Sequence, residues 1–333
     1  MQVTIQSKPS GTVNSSAPSR KPGANVRQSI SSLIENVEKV VVGKRPVVEL
    51  AVIALLCKGH VLLEDVPGTG KTMLARALAR SMDVEMKRLQ CTPDLLPSDV
   101  TGVPIYNQKT GEFEFRPGPV FTSLLLADEI NRATPRAQSA LLECMAECHV
   151  TVDGKTYDMP AVFMVLATQN PLDMAGTHVL PEAQLDRFFV RLSLGYPTLD
   201  EEVRVLYAQS QSHPIDGLQT VLGSAELLEA REAVKRVHLA PDVAQYIARI
   251  THATREHPDL RLGASTRGTL ALASGAQGMA FLSGRDYVTP DHVKTMARPV
   301  LEHRMIIRPR AAAGGKSPGD ILDEILDRLT PPV

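Results

Sequence analysis

The chain has 333 residues, 43% of them hydrophobic, and its 36 basic and 37 acidic side chains leave a net charge of -1. That length supports two ordinary domains, each with a sizeable core. The charge balance excludes the global basic field of a non-specific nucleic-acid binder, leaving only a local basic groove open, and no apolar run approaches the roughly 20 residues that span a bilayer.

Residues 1–27 are rich in Ser, Pro and Gly and carry Lys8, Arg20, Lys21 and Arg27 with no acidic residue. Such a composition buries too little to fold, so a disordered, mildly basic leader is expected. From about Ser29 a helical pattern leads to Gly43, and a second, "PVVELAVIALLCKG", ends at Gly59. "HVLLE" then reads as a short buried strand, followed by a glycine-rich loop and the helix "TMLARALARSM". Further strands are expected at "EMKRLQ", "SLLLADE", "VFMVLATQN" and "RLSLGYP", separated by helices such as "PRAQSALLECMAE". This alternation predicts an α/β core with an open, mostly parallel five-stranded sheet flanked by helices. Two polar hairpins interrupt it, "GVPIYNQKTGEFEFRPG" and "HVTVDGKTYDMP", the second turning at Asp153-Gly154. Insertions of this kind are surface features on which partners dock. After Pro197 the strand signals fade into amphipathic segments, which predict an all-helical lid. The expected division is a leader over 1–27, a core over 28–197 and a lid over 198–333.

There are four cysteines, Cys57, Cys91, Cys144 and Cys148, and no apolar secretory start, which points to reduced thiols and a cytoplasmic protein. Cys144 and Cys148 lie one helical turn apart beside His149, but no second ligand pair stands at zinc spacing, so they read as buried helix thiols.

The stretch "EDVPGTGKT", Glu64 to Thr72, matches the phosphate loop G-x-x-x-x-G-K-[ST] except that Asp65 stands at its first glycine. Val66, Pro67, Gly68, Thr69, Gly70, Lys71, Thr72 and Met73 form the candidate nucleotide loop, whose backbone N–H groups open a helix with a partly positive N-terminus. Lys71 would reach the β- and γ-phosphates and Thr72 would hold Mg²⁺, while Gly68 and Gly70 keep Cβ atoms out of the way. Downstream, the apolar run Leu124 to Ala127 ends in Asp128 and Glu129. Asp128 would coordinate Mg²⁺ through water and Glu129 would polarise the attacking water. In "VLATQNP" the Asn170 amide would position that water or touch the γ-phosphate. In "LPEAQLDRF" Arg187 closes a helix from which it could reach a neighbouring subunit's site, with Arg191 close by as an alternative; in "GASTRGTL" Arg267 opens a lid helix that could fold over the nucleotide.

Together "EDVPGTGKT", "LLLADEINRATPRAQSALLECMAE", "VLATQNP", "LPEAQLDRF" and "GASTR" resemble the AAA+ ATPases of the MoxR family, relatives of the magnesium chelatase ATPase subunit, from about Ser29 to Pro309. The resemblance implies a ring, commonly a hexamer, with ATP and Mg²⁺ at subunit boundaries. It also implies a chaperone-like motor that remodels, assembles or activates a protein partner, often one with a von Willebrand factor A domain. It places Lys71 and Thr72 on Walker A, Asp128 and Glu129 on Walker B, Asn170 on sensor 1, Arg187 on the arginine finger and Arg267 on sensor 2, with Val42 and Gly43 against the adenine. Thr266 stands where the family often has proline, and threonine would serve as the helix N-cap.

Two other functions fit less. A nucleic-acid motor or transcription regulator is opposed by the neutral charge, the lack of an appended helix-turn-helix or zinc module, and the absence of a "GAFTGA"-like loop. A non-hydrolysing, ATP-gated scaffold would not need both Asp128 and Glu129. As for Asp65, a carboxylate aimed at the phosphates from about 6 Å would be repelled by ~3 kcal/mol per charge at an effective dielectric of about 20. It is therefore expected to point away, capping the turn or pairing with a nearby cation.

Overall fold

The computed structural model describes residues 24–171, 176–209 and 213–332. The expected leader lies outside the described residues up to residue 23, and its last four residues already belong to helix α1, Ala24–Glu38. Composition could not show why: Arg27 reaches across to the lid, where it donates to Gly284 O at 3.4 Å and Arg285 O at 3.2 Å, pairs with Asp286, and lies over the Phe281 ring.

The core continues through α2 (Arg45–Leu56), β1 (Val61–Glu64), α3 (Lys71–Met82), β2 (Met86–Gln90), α4 (Pro97–Thr101), the hairpin β3 (Gly102–Asn107) and β4 (Glu112–Pro117), and β5 (Leu124–Asp128). It closes with α5 (Pro135–Glu147), the hairpin β6 (His149–Val152) and β7 (Lys155–Asp158), β8 (Met164–Gln169), α6 (Glu182–Leu185) and β9 (Val190–Leu192). Five strands form one parallel sheet in the order β2-β5-β8-β1-β9, as the alternation predicted. Its central strands are apolar on both faces because both are covered. Leu124, Leu126, Met164 and Leu166 face one apolar cluster with α1, α2 and α3, while Leu125, Ala127, Val165 and Ala167 face a second with α5.

Both hairpins stand outside the sheet. In the second, Asp153 (φ 49°) and Gly154 (φ 73°) are both left-handed, the geometry of a tight two-residue hairpin turn. Phe115 of β4 stacks on Tyr157 of β7 with ring centroids 4.1 Å apart, so the two insertions touch. Val103, Ile105, Tyr106 and Phe113 of the first hairpin are exposed.

The lid comprises α7 (Leu199–Gln209), α8 (Ser224–Lys235), α9 (Pro241–Glu256), β10 (Leu260–Leu262), α10 (Thr266–Leu282), α11 (Pro290–Leu301), β11 (Ile306–Ile307), α12 (Pro309–Ala313) and α13 (Pro318–Arg328). It is helical apart from the short antiparallel ladder between β10 and β11. The larger apolar cluster runs without a break from the sheet through α2 into the lid, taking in Leu227, Ile247, Leu272, Phe281 and Met296. At one crossing Gly278 of α10 lies so close to α2 that a Cβ there would come within 2.8 Å of Ile53 Cγ2.

Two local expectations are corrected. Cys144 is buried but Cys148 is exposed, because α5 ends at Glu147 and Cys148 is its left-handed C-cap (φ 54°). Ser265, not Thr266, is the N-cap of α10: its Oγ accepts from Gly268 N at 3.1 Å, which leaves Thr266 at the first helical position, a place where proline is also favoured.

Candidate active site

The ladder of β1 runs one residue past the strand, with Asp65 N donating to Gln169 O at 3.1 Å. Asp65 is not left-handed, so this position does not need the conformational freedom of glycine. Gly68 (φ 86°) and Gly70 (φ 93°) do need it, and no atom lies within 4 Å of the place a Cβ would occupy on either. The Asp65 carboxylate turns away from the loop: its Oδ2 accepts from Leu194 N at 2.6 Å, Gly195 N at 2.9 Å and Ser193 Oγ at 3.3 Å. The outward direction is as expected, but the carboxylate caps the chain leaving β9 instead of its own turn or a cation.

Lys71 folds back onto the loop, donating to Asp65 O at 2.6 Å and Val66 O at 2.9 Å. Burial pulls its ammonium below the ordinary lysine range, against the opposing pull of Asp65, Asp128 and Glu129.

At the end of β5 one hydroxyl organises two carboxylates. Thr168 Oγ1 donates to Asp128 Oδ1 at 2.7 Å and accepts from Glu129 N at 2.8 Å. Glu129 is left-handed (φ 55°, ψ 53°), a conformation uncommon for a residue with a Cβ and typical of strained functional turns. Arg88 of β2 donates to Asp128 Oδ2 from Nε at 3.0 Å and Nη2 at 2.7 Å, and from Nη2 to Gln90 Oε1 at 2.8 Å. The Glu129 carboxylate is met by Arg132 at 3.1 Å and Gln90 at 3.5 Å.

Pro67, Gly68, Gly70, Lys71, Thr72, Asp128, Glu129, Thr168 and Asn170 line one cavity of about 380 Å³. Val66 and Thr69 shape the loop through a hydrogen bond between them, at 3.3 Å, and Met73 packs on the core. Val42 and Gly43 do not line the cavity. Gly43 (φ 75°) lies beneath Glu201 of α7, and the next residue, Lys44, donates to Tyr196 O at 2.9 Å.

Arg187 and Arg267 do not line it either. They share a second cavity, of about 280 Å³, with Lys58, His60 and Arg304 between core and lid. Arg187 Nη1 donates to Leu142 O at 2.7 Å, and Arg267 Nη1 lies 3.3 Å from Asp186 Oδ2. Arg191, in contrast, is tied to Glu64 at 2.9 Å and Glu302 at 3.5 Å.

Sequence reasoning missed Thr168 and Arg88. A hydroxyl closing the buried run "VLAT" was a visible signal for the first, whereas the second depends on knowing that β2 and β5 are neighbours. Among the described residues no three His, Cys, Asp or Glu side chains cluster as a metal site.

The sequence matches the profile of the ATPase family associated with various cellular activities over residues 60–190 and that of the AAA lid domain over residues 252–325. It is 50% identical over 304 residues to YeaC of Bacillus subtilis, spanning 91% of this chain and 95% of that protein. Identity to the chaperone MoxR1 of Mycobacterium tuberculosis is 38% over 313 residues, spanning 91% and 82%. A crystal structure of a Cytophaga hutchinsonii protein, 39% identical, superposes with a TM-score of 0.87 over 94% of this chain and 98% of that one.

Proposed function

Since the chain belongs to the MoxR-type AAA+ ATPases, we propose that it hydrolyses ATP with Mg²⁺ as subunits of a ring, a hexamer, and uses the cycle to remodel or activate a protein partner. The observation that carries this reading is the single cavity in which Lys71, Thr72, Asp128, Glu129 and Asn170 meet around two left-handed glycines.

The cavity suits a triphosphate. The Cβ-free floor at Gly68 and Gly70 lets backbone N–H groups approach phosphate oxygens, and Lys71 exchanges two carbonyls for them. The Thr72 hydroxyl, and Asp128 through water, would hold Mg²⁺, whose charge would offset that of the triphosphate. Glu129 accepts a proton from the water as its oxygen bonds the γ-phosphorus and the bond to the β–γ bridging oxygen breaks, giving ADP and phosphate. Thr168 keeps Asp128 and Glu129 in fixed relation while Asn170 orients the water.

Arg187 and Arg267 stand together, apart from their own subunit's cavity, which supports a role for both on the nucleotide of the neighbouring subunit. With Arg191 engaged by two carboxylates, Arg187 is the finger. The exposed Tyr106 and Phe113 of the first hairpin are the partner-docking side chains, and a von Willebrand factor A domain is the partner class. The cytoplasm is the compartment we assign, and no helix among the described residues is long and apolar enough to cross a membrane.

Glu129→Gln keeps ATP binding and lowers turnover by about a hundredfold or more, whereas Lys71→Ala loses binding. Steady-state hydrolysis that is unchanged in both variants overturns the assignment. The Glu129→Gln protein, arrested with ATP, is the bait with which to isolate the partner.

A further inference from the structure

Asp186, the core residue before Arg187, does not line the nucleotide cavity, yet its carboxylate, 17% exposed, gathers three side chains of the lid. Its Oδ1 accepts from Arg304 Nε at 2.9 Å and from Ser265 Oγ at 2.9 Å; its Oδ2 lies 3.0 Å from Ser265 Oγ and 3.3 Å from Arg267 Nη1. Arg304, 5% exposed, also donates from Nη2 to the main-chain carbonyls of Asp186 at 3.2 Å and Phe188 at 2.5 Å, the two residues that flank Arg187. From Nη1 it donates to Phe189 O at 3.1 Å and to Val300 O. Ser265 is the N-cap of α10, the helix whose first turn carries Arg267.

One carboxylate thus fixes three things: the lid guanidinium that grips the backbone on either side of Arg187, the start of the Arg267 helix, and the Arg267 guanidinium itself. The geometry points to Asp186 as the positioning residue that sets Arg187 and Arg267 side by side on the face turned toward the neighbouring nucleotide. This inference rests on the reading that both arginines act across the seam between subunits.

Two physical arguments support it. Arg267 is 55% exposed and, unrestrained, would sample many rotamers; a charge that is already oriented needs less reorganisation when the reaction begins. Arg304 would be a buried cation without a counter-charge if Asp186 were absent, and burial already draws its pKa down to about 10 against the opposing pull of Asp186.

The test uses the full chain. Asp186→Asn keeps the shape and loses the charge. It lowers kcat at least about tenfold while leaving the KM for ATP within about twofold, because the variant's own cavity is intact. Mixed with Lys71→Ala subunits, which cannot hold nucleotide but carry intact arginines, Asp186→Asn regains turnover; a merely structural lesion does not complement in this way. Arg187→Ala mixed with Lys71→Ala is the companion measurement. If it shows no rescue, the reading of arginines across the seam fails and the present inference falls with it. If Arg187→Ala is rescued but Asp186→Asn is not, or if Asp186→Asn alone keeps its full kcat, Asp186 has no positioning role. Should Asp186→Asn not fold, the double variant Asp186→Asn/Arg304→Gln leaves no uncompensated charge buried, and the same outcomes decide.

Discussion

Asp65 accepts from two backbone amides and one hydroxyl at the end of β9, and glycine in its place would leave those donors without their acceptor. Asp65→Gly therefore lowers the free energy of unfolding by about 3 kcal/mol in urea denaturation, while ATP affinity stays within about threefold. A tenfold gain in affinity would show instead that the carboxylate faces the phosphates. The partner amides lie 129 and 130 residues downstream, a separation at which no local pattern speaks. That Lys71, Thr72, Asp128, Glu129 and Asn170 share one cavity was legible, because a glycine-rich loop opening a helix and polar residues at the ends of buried strands mark the same edge of a parallel sheet. Thr168, Arg88 and Asp186 act through neighbours that chain order does not reveal: the sheet places β5 between β2 and β8, and Asp186 meets lid residues 79 to 118 positions downstream.

The long apolar runs became the sheet and the amphipathic segments became helices, since burial on two faces or one imposes a readable period. The ladder of β10 and β11, three and two residues long within the helical lid, shows no such period and was not foreseen. The same limit applies at ends: the pattern did not show that α5 stops at Glu147, which leaves Cys148 as an exposed C-cap. Between elements, the stack of Phe115 on Tyr157 ties the two hairpins together. Removing one ring of such a pair costs about 1 kcal/mol. Phe115→Ala is thus expected to speed amide exchange in both hairpins by up to about tenfold and to leave ATP affinity unchanged, as hydrogen exchange and equilibrium binding will show. Exchange that rises in the first hairpin alone would mean that the stack does not join them.

Core and lid share one apolar cluster, and two enclosed histidines sit near their junction. His60 Nδ1 accepts from Val165 N at 3.0 Å, so its proton resides on Nε2, which donates to Met145 O at 3.0 Å. Burial, with Arg231 nearby, pulls the ring down to about 4, and burial together with Arg304 pulls His303 well below its usual range. Both are neutral when folded, whereas an unfolded chain protonates them near pH 6.5. Their contribution is complete above that pH and declines below it; for His60 the loss runs down to about 4 and is on the order of 3 kcal/mol. The thermal midpoint accordingly drops across that window, and less steeply in His60→Gln, which cannot take up the proton. Equal slopes in the two proteins would remove His60 from the account. A lid joined to its core by continuous packing, with α10 lying directly on α2 at Gly278, ties the two parts of each protomer through one apolar core. In the proposed ring, packing of this kind favours motion at the contacts between subunits over an opening of core from lid within one of them.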